Sequence, residues 1–115
     1  MTAYALAHLR PRPPLHEDVF VYMERIQATM DPFGGRFLVH GTDAEVLEGA
    51  LDGGYVLVEF PDMATARAWY ASDAYREILR MRTDHMEGTV VLLDGVPEDY
   101  DATRTAAAMR KAQEG

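Results

Sequence analysis

An α+β fold with the element order β-α-β-β-α-β, an antiparallel sheet covered by helices on one face, is what three observations in this sequence predict. The first is the stretch Tyr55 to Asp94. An apolar run, Tyr-Val-Leu-Val-Glu-Phe60, meets a Pro61-Asp62 stop; a two-part helical run follows, and a second apolar run from Thr89 to Leu93 closes it. The second is the helical period between Glu17 and Met30, where Val19, Met23, Ile26 and Met30 recur on one face. The third is strict alternation at the start of the chain, with Ala3, Ala5, Ala7 and Leu9 on one face and Tyr4, Leu6 and His8 on the other.

Each element has a local reason. The small alanines of the first strand, Ala3 to Leu9, suit a surface lying close beneath helices, and the proline-punctuated loop from Arg10 to His16 stops that strand because proline cannot donate to a ladder. Glu17 and Asp18 place negative charge at the positive end of the first helix. Asp31-Pro-Phe-Gly-Gly35 ends it, and Arg36 to His40 begins a strand with Phe37 and Val39 on one face and Arg36, Leu38 and His40 on the other. Gly41-Thr-Asp43 is a bend, Glu45 to Glu48 a short extended piece, and Leu51-Asp-Gly-Gly54 the turn into the strand Tyr55 to Phe60. Asp62 and Ser72 stand where N-caps belong, so the helical region is expected to break at Ser72, with its second run spanning Arg76 to His85. Residues 1–97 are expected to form one domain, with 98–115 a flexible tail or short helix over Ala102 to Gln113. This is the ferredoxin-like pattern. Its open sheet face, carrying Tyr4, Leu6, Leu38 and Leu57, is too apolar to leave in water, which predicts a homodimer formed face to face.

Composition excludes several functions. A chain of 115 residues can bury roughly two-thirds of its unfolded surface, enough for a core. With a formal net charge of -8 and Lys111 as the only lysine, it offers no cationic stripe to a phosphate backbone, so nucleic acid is not an expected partner. Cysteine is absent, which removes disulfides, thiolate ligands and thiol nucleophiles and suits a cytoplasmic location. No apolar run is long enough to cross a bilayer, so no membrane partner is expected. Ser72 is the only serine and is already needed as a cap, so a serine-histidine triad has no free nucleophile. The four histidines, His8, His16, His40 and His85, have no i,i+2 or i,i+4 spacing among them, so spacing along the chain predicts no metal site.

Four motifs in order, Gly34-Gly-Arg36-Phe-Leu-Val-His-Gly41, Glu45-Val-Leu-Glu-Gly49, Glu59-Phe-Pro-Asp62 and Ala68-Trp69-Tyr70-x-Ser72-x-x-Tyr75, resemble a family of bacterial proteins of about a hundred residues. That family is known only as a domain of unknown function in the dimeric α+β barrel superfamily, and the likeness runs from Ala3 to Val96. It implies the ferredoxin-like fold, a dimer, and a cavity between sheet and helices. The superfamily also holds cofactor-independent monooxygenases, haem-degrading oxygenases and lactone isomerases. The spacing of Trp69 and Tyr75 is similar to a pocket pair in some of those monooxygenases, which also use an asparagine that this chain lacks. In the haem degraders an axial histidine follows the tryptophan by about ten residues; Leu79 stands there, so the resemblance implies no haem.

The candidate site residues are Arg36, His40, Trp69, Tyr75, Arg82 and His85, expected to line a ligand pocket; no cofactor is expected. Two readings stand for most of them. Arg36 either pairs with Glu59 or forms the polar end of a cavity, and Trp69, Tyr70 and Tyr75 at helical spacing are core or pocket wall. Arg82 and His85, three apart on a helix, either clamp an anion or complement the helix dipole. The functional reading is a dimer that binds a small aromatic or anionic metabolite, with His40 or His85 as base and Tyr75 or Arg82 as polariser of a cofactor-independent monooxygenase- or isomerase-like reaction. The alternative is a non-catalytic dimeric binding or interaction module.

Overall fold

In a computed structural model describing residues 1–115, four antiparallel strands form one sheet in the order β2-β3-β1-β4: β1 (Ala3–Arg10), β2 (Arg36–Val39), β3 (Gly54–Phe60) and β4 (Glu87–Asp94). Helices α1 (Glu17–Met30), α2 (Met63–Ala71) and α3 (Asp73–Thr83) cover one face, and α4 (Ala102–Glu114) follows the last strand. The architecture is the α+β, ferredoxin-like one that the sequence predicts. In the sheet register Ala3 faces Phe60, Ala5 faces Val58 and Ala7 faces Val56, so the small residues of the central strand sit beside larger ones on the helix side. Ala3, Ala5, Val58 and Phe60 pack there against Tyr22, Ile26 and Met30 of α1 and Ala66, Trp69, Tyr75 and Ile78 of α2 and α3.

The caps define the helices as expected. Asp62 accepts from the Thr65 backbone N–H at 2.7 Å to start α2, and Ser72 Oγ accepts from the Tyr75 N–H at 3.3 Å to start α3. The break at Ser72 lets α2 lean on the sheet while α3 packs along α1. At the other end of α1, His16 is an N-cap whose Nδ1 accepts from the Asp18 N–H at 3.0 Å. Gly53 has φ +88° and lies so close to β1 that a Cβ there would stand 2.1 Å from the Leu9 carbonyl oxygen, which is why the turn into β3 needs a glycine.

Two expectations need correction. Strand β2 ends at Val39 and carries a bulge: Phe37 pairs with Val58, but Val39, two residues on, pairs with Leu57. The extra residue shifts the alternation, so Val39 joins Leu57 on the open face, and His40 turns back to stack on Phe37 at 4.7 Å. Glu45 to Glu48 is not an extended pairing piece. The chain from Gly41 to Gly53 is irregular and almost wholly exposed, with Leu47 86% exposed. The tail from Ala102 is helical, capped by Asp101, and all its residues are exposed.

Candidate functional site: a cavity beneath the helices

Because β1 presents only alanines from Ala3 to Ala7 on its helix-facing side, the helices arch over it without filling the space. A cavity of about 240 Å³ results, with Ala5 and Ala7 of β1 and Val56 and Val58 of β3 in its floor. Val19, Tyr22, Met23 and Ile26 of α1 form one wall, and Trp69, Tyr75 and Arg82 of α2 and α3 close the inner end. The exposed residues Pro11, His40, Gly41 and Thr42 mark the mouth. Of the 22 lining residues 16 are hydrophobic, so the few polar groups decide what such a space can hold.

Three buried polar groups meet at the inner end. The hydroxyls of Tyr22 and Tyr75 are 2.8 Å apart, with Tyr75 1% exposed. Burial first, then the neighbouring Tyr75, pushes the Tyr22 phenol well above its ordinary pKa. Arg82, 5% exposed, places its guanidinium 5.5 Å from the centre of the Tyr22 ring. Burial works against that charge, but the electrostatics and hydrogen bonding of Tyr22 and Tyr75 outweigh it and hold the guanidinium pKa above its usual value. Arg82 is therefore cationic near pH 7, and none of the ion pairs in the chain involves it. A buried cation facing an apolar cavity without a carboxylate is costly unless something else supplies the negative charge.

The predicted site residues divide. Trp69, Tyr75, Arg82 and His40 line the cavity. Trp69 is also structural: its Nε1–H donates to Thr29 Oγ1 at 3.0 Å, Thr29 Oγ1 donates to the Ile26 carbonyl at 2.7 Å, and the indole packs 4.2 Å from the Tyr75 ring. His40 reaches the mouth because of the β2 bulge. Arg36 does not reach the cavity; it lies on the open face, where its Nε donates to Glu59 Oε1 at 3.2 Å between adjacent strands. His85 is also absent from the lining: α3 ends at Thr83, two residues before it, and its Nε2 meets Asp18 Oδ2 at 3.1 Å. Tyr22 is a further site residue, beyond those that the sequence points to. Its signal was present, since it sits three residues after Val19 and four before Ile26, on the stripe that reads as core.

Residues 2–96 match the family described as Domain of unknown function (DUF1330). No functionally curated protein matches the chain. Among solved structures, the RPA0582 protein of unknown function from Rhodopseudomonas palustris is similar at a TM-score of 0.67 and 18% identity, over 84% of this chain and 83% of that one. A dimeric ferredoxin-like protein of unknown function from Jannaschia sp. CCS1 gives 0.57 and 17%, over 83% and 100%. SnoaB, a cofactor-independent oxygenase from Streptomyces nogalater, gives 0.52 and 15%, over 87% and 96%. At these identities the likeness establishes the fold and nothing about chemistry.

Proposed function

The chain belongs to the DUF1330 family, and from that premise we propose that it is a homodimeric, cytoplasmic protein binding a small, mostly planar organic molecule with one anionic group. The observation that carries this is Arg82: a buried cation without a carboxylate partner, in an aromatic and aliphatic cavity. A carboxylate or phenolate in the cavity would supply the missing charge through charge-assisted hydrogen bonds, and the Tyr22 and Tyr75 hydroxyls would fix its orientation. The surrounding apolar walls would take the rest of the molecule. The net charge of -8 repels anions at long range, so recognition relies on this local group rather than on steering. The dimeric state is supported by the dimeric ferredoxin-like neighbour and by the apolar open face.

A catalytic extension is favoured by one observation, the presence of His40 at the cavity mouth. There it would act as the base that removes a proton from the part of the bound molecule lying at the mouth, with Tyr75 and Arg82 holding the anionic group at the inner end, in an isomerase-like reaction, or a monooxygenase-like one in which the deprotonated molecule itself reduces O₂, that needs no cofactor.

Trp69, the only tryptophan, reports binding by its fluorescence. A panel of aromatic carboxylates and phenolates beside neutral isosteres should show preference for the anions. Arg82→Met should weaken the anions by about ten- to a hundredfold, the worth of a charged hydrogen bond, and leave the fold stable. Binding that survives in both Arg82→Met and Tyr75→Phe would sink the ligand assignment and leave the non-catalytic interaction module. If a bound compound is consumed, His40→Ala should stop consumption without abolishing binding; unchanged turnover removes His40 as the base.

A further inference from the structure

Three polar side chains outside the cavity lining converge from two elements. His16 and Asp18 belong to the start of α1, and His85 follows the end of α3. One carboxylate oxygen is common to all three: Asp18 Oδ2 is 3.1 Å from His85 Nε2 and 3.7 Å from His16 Nδ1. One ligand atom from each of the three residues lies within 4.8 Å of the others. The two imidazoles are stacked, with ring centres 3.7 Å apart and planes within 8°.

We propose that His16, Asp18 and His85 form a binding site for a divalent first-row transition ion such as Zn²⁺. Two imidazoles and one carboxylate suit zinc, copper, nickel or iron rather than magnesium or calcium, which take all-oxygen sets. Ligand atoms about 2.0–2.1 Å from a tetrahedral zinc lie about 3.3 Å from one another, and the two distances to Asp18 Oδ2 bracket that value. Coordination through His16 Nδ1 replaces the bond that this nitrogen accepts from the Asp18 N–H, and the ion takes the place of the contact between His85 Nε2 and Asp18 Oδ2. The His16 ring is exposed, so it has room to turn out of the parallel stack toward an ion. The positive end of the α1 dipole opposes a cation, and the carboxylates of Glu17 and Asp18 in its first turn offset it.

Three protein ligands leave a fourth position open, the arrangement of sites that hold water or a small molecule on the metal rather than of closed structural ones. Leu15, Val19 and Met86, each adjacent in sequence to one of the three ligands, line the cavity, so the ion stands on its rim. Spacing along the sequence concealed this grouping because His16 and His85 are far apart in the chain and are brought together by the packing of α1 on α3.

Titration of the full chain with ZnCl₂ by calorimetry tests the site, with MgCl₂ as the comparison ion. One Zn²⁺ per chain should bind at micromolar affinity with proton release, and Mg²⁺ should not compete. His16→Ala, His85→Ala and Asp18→Asn should each weaken zinc by at least about tenfold, while His8→Ala on the open sheet face should not. Nitrogen-detected histidine spectra of the unmodified protein give a readout independent of any variant's folding: zinc should shift the ring nitrogens of His16 and His85 and leave those of His8 unmoved. No zinc binding, undiminished binding in the three variants, or shifts spread equally over the histidines would overturn the proposal.

Discussion

Asp62 shows how much one cap reports about its helix. Its carboxylate accepts from both the Thr65 hydroxyl and the Thr65 N–H, each at 2.7 Å, and those bonds, the hydroxyl's first, hold its pKa below the ordinary carboxylate value. A carboxyl group with a depressed folded-state pKa contributes stability that is present above its unfolded value and is lost as the pH falls through the folded one. Asp62→Asn should therefore unfold at a lower temperature than the unmodified protein at neutral pH. The gap should narrow as the pH falls below the ordinary aspartate range; a gap independent of pH would show that the charge contributes nothing. This cap, like Ser72, is legible in the sequence because its partner lies three residues away. The Tyr22–Tyr75 bond and the Trp69–Thr29 bond are not, since each joins positions dozens of residues apart whose meeting depends on how helices pack.

At the scale of elements, α1 was readable to both ends because its apolar period, acidic first turn and Asp-Pro stop all agree. Strand β2 was readable only to Phe37. One added residue reverses every later face in a pleated strand, and no composition cue marks the bulge, so alternation put His40 on the open face instead of at the cavity mouth. The Glu45–Glu48 stretch failed for a different reason: two adjacent apolar residues between acids have no partner strand, and a strand exists only by pairing. The α4 helix is the reverse case, regular in itself yet exposed throughout. Ending the chain after Pro97 removes little buried surface, so the midpoint of urea unfolding should move by no more than about 0.5 kcal/mol equivalent. A larger loss would mean that α4 packs on something in solution, a second chain being the first suspect.

For the whole molecule, the open sheet face is the dominant unfinished surface. Across it Leu6 sits between Leu57 and Val91, Tyr4 sits between Glu59 and Leu93, and Val39 stands beside Leu57. An apolar area of this kind is normally covered, and the proposed dimer would cover it. Leu57→Arg puts a charge at its centre and should convert a dimer, sized by light scattering, into monomer or aggregate; a monomeric unmodified protein would rule the arrangement out. The position of β1 has a consequence for how the chain is made. Of the four strands it is made before the others, yet it occupies the middle of the sheet, where Ala3 pairs with Phe60 on one side and with Asp94 on the other. Its residues therefore wait for those of β3 and β4, and neither neighbour can be reached without closing a long loop, which slows the search and leaves an unpaired apolar strand exposed to other nascent chains in the meantime. A chain ending at Met86 has every helix of the covered face but lacks β4, and in circular dichroism with protease challenge it should behave as an unfolded or aggregating species; cooperative unfolding of that fragment would show that the sheet can close before its last strand is made.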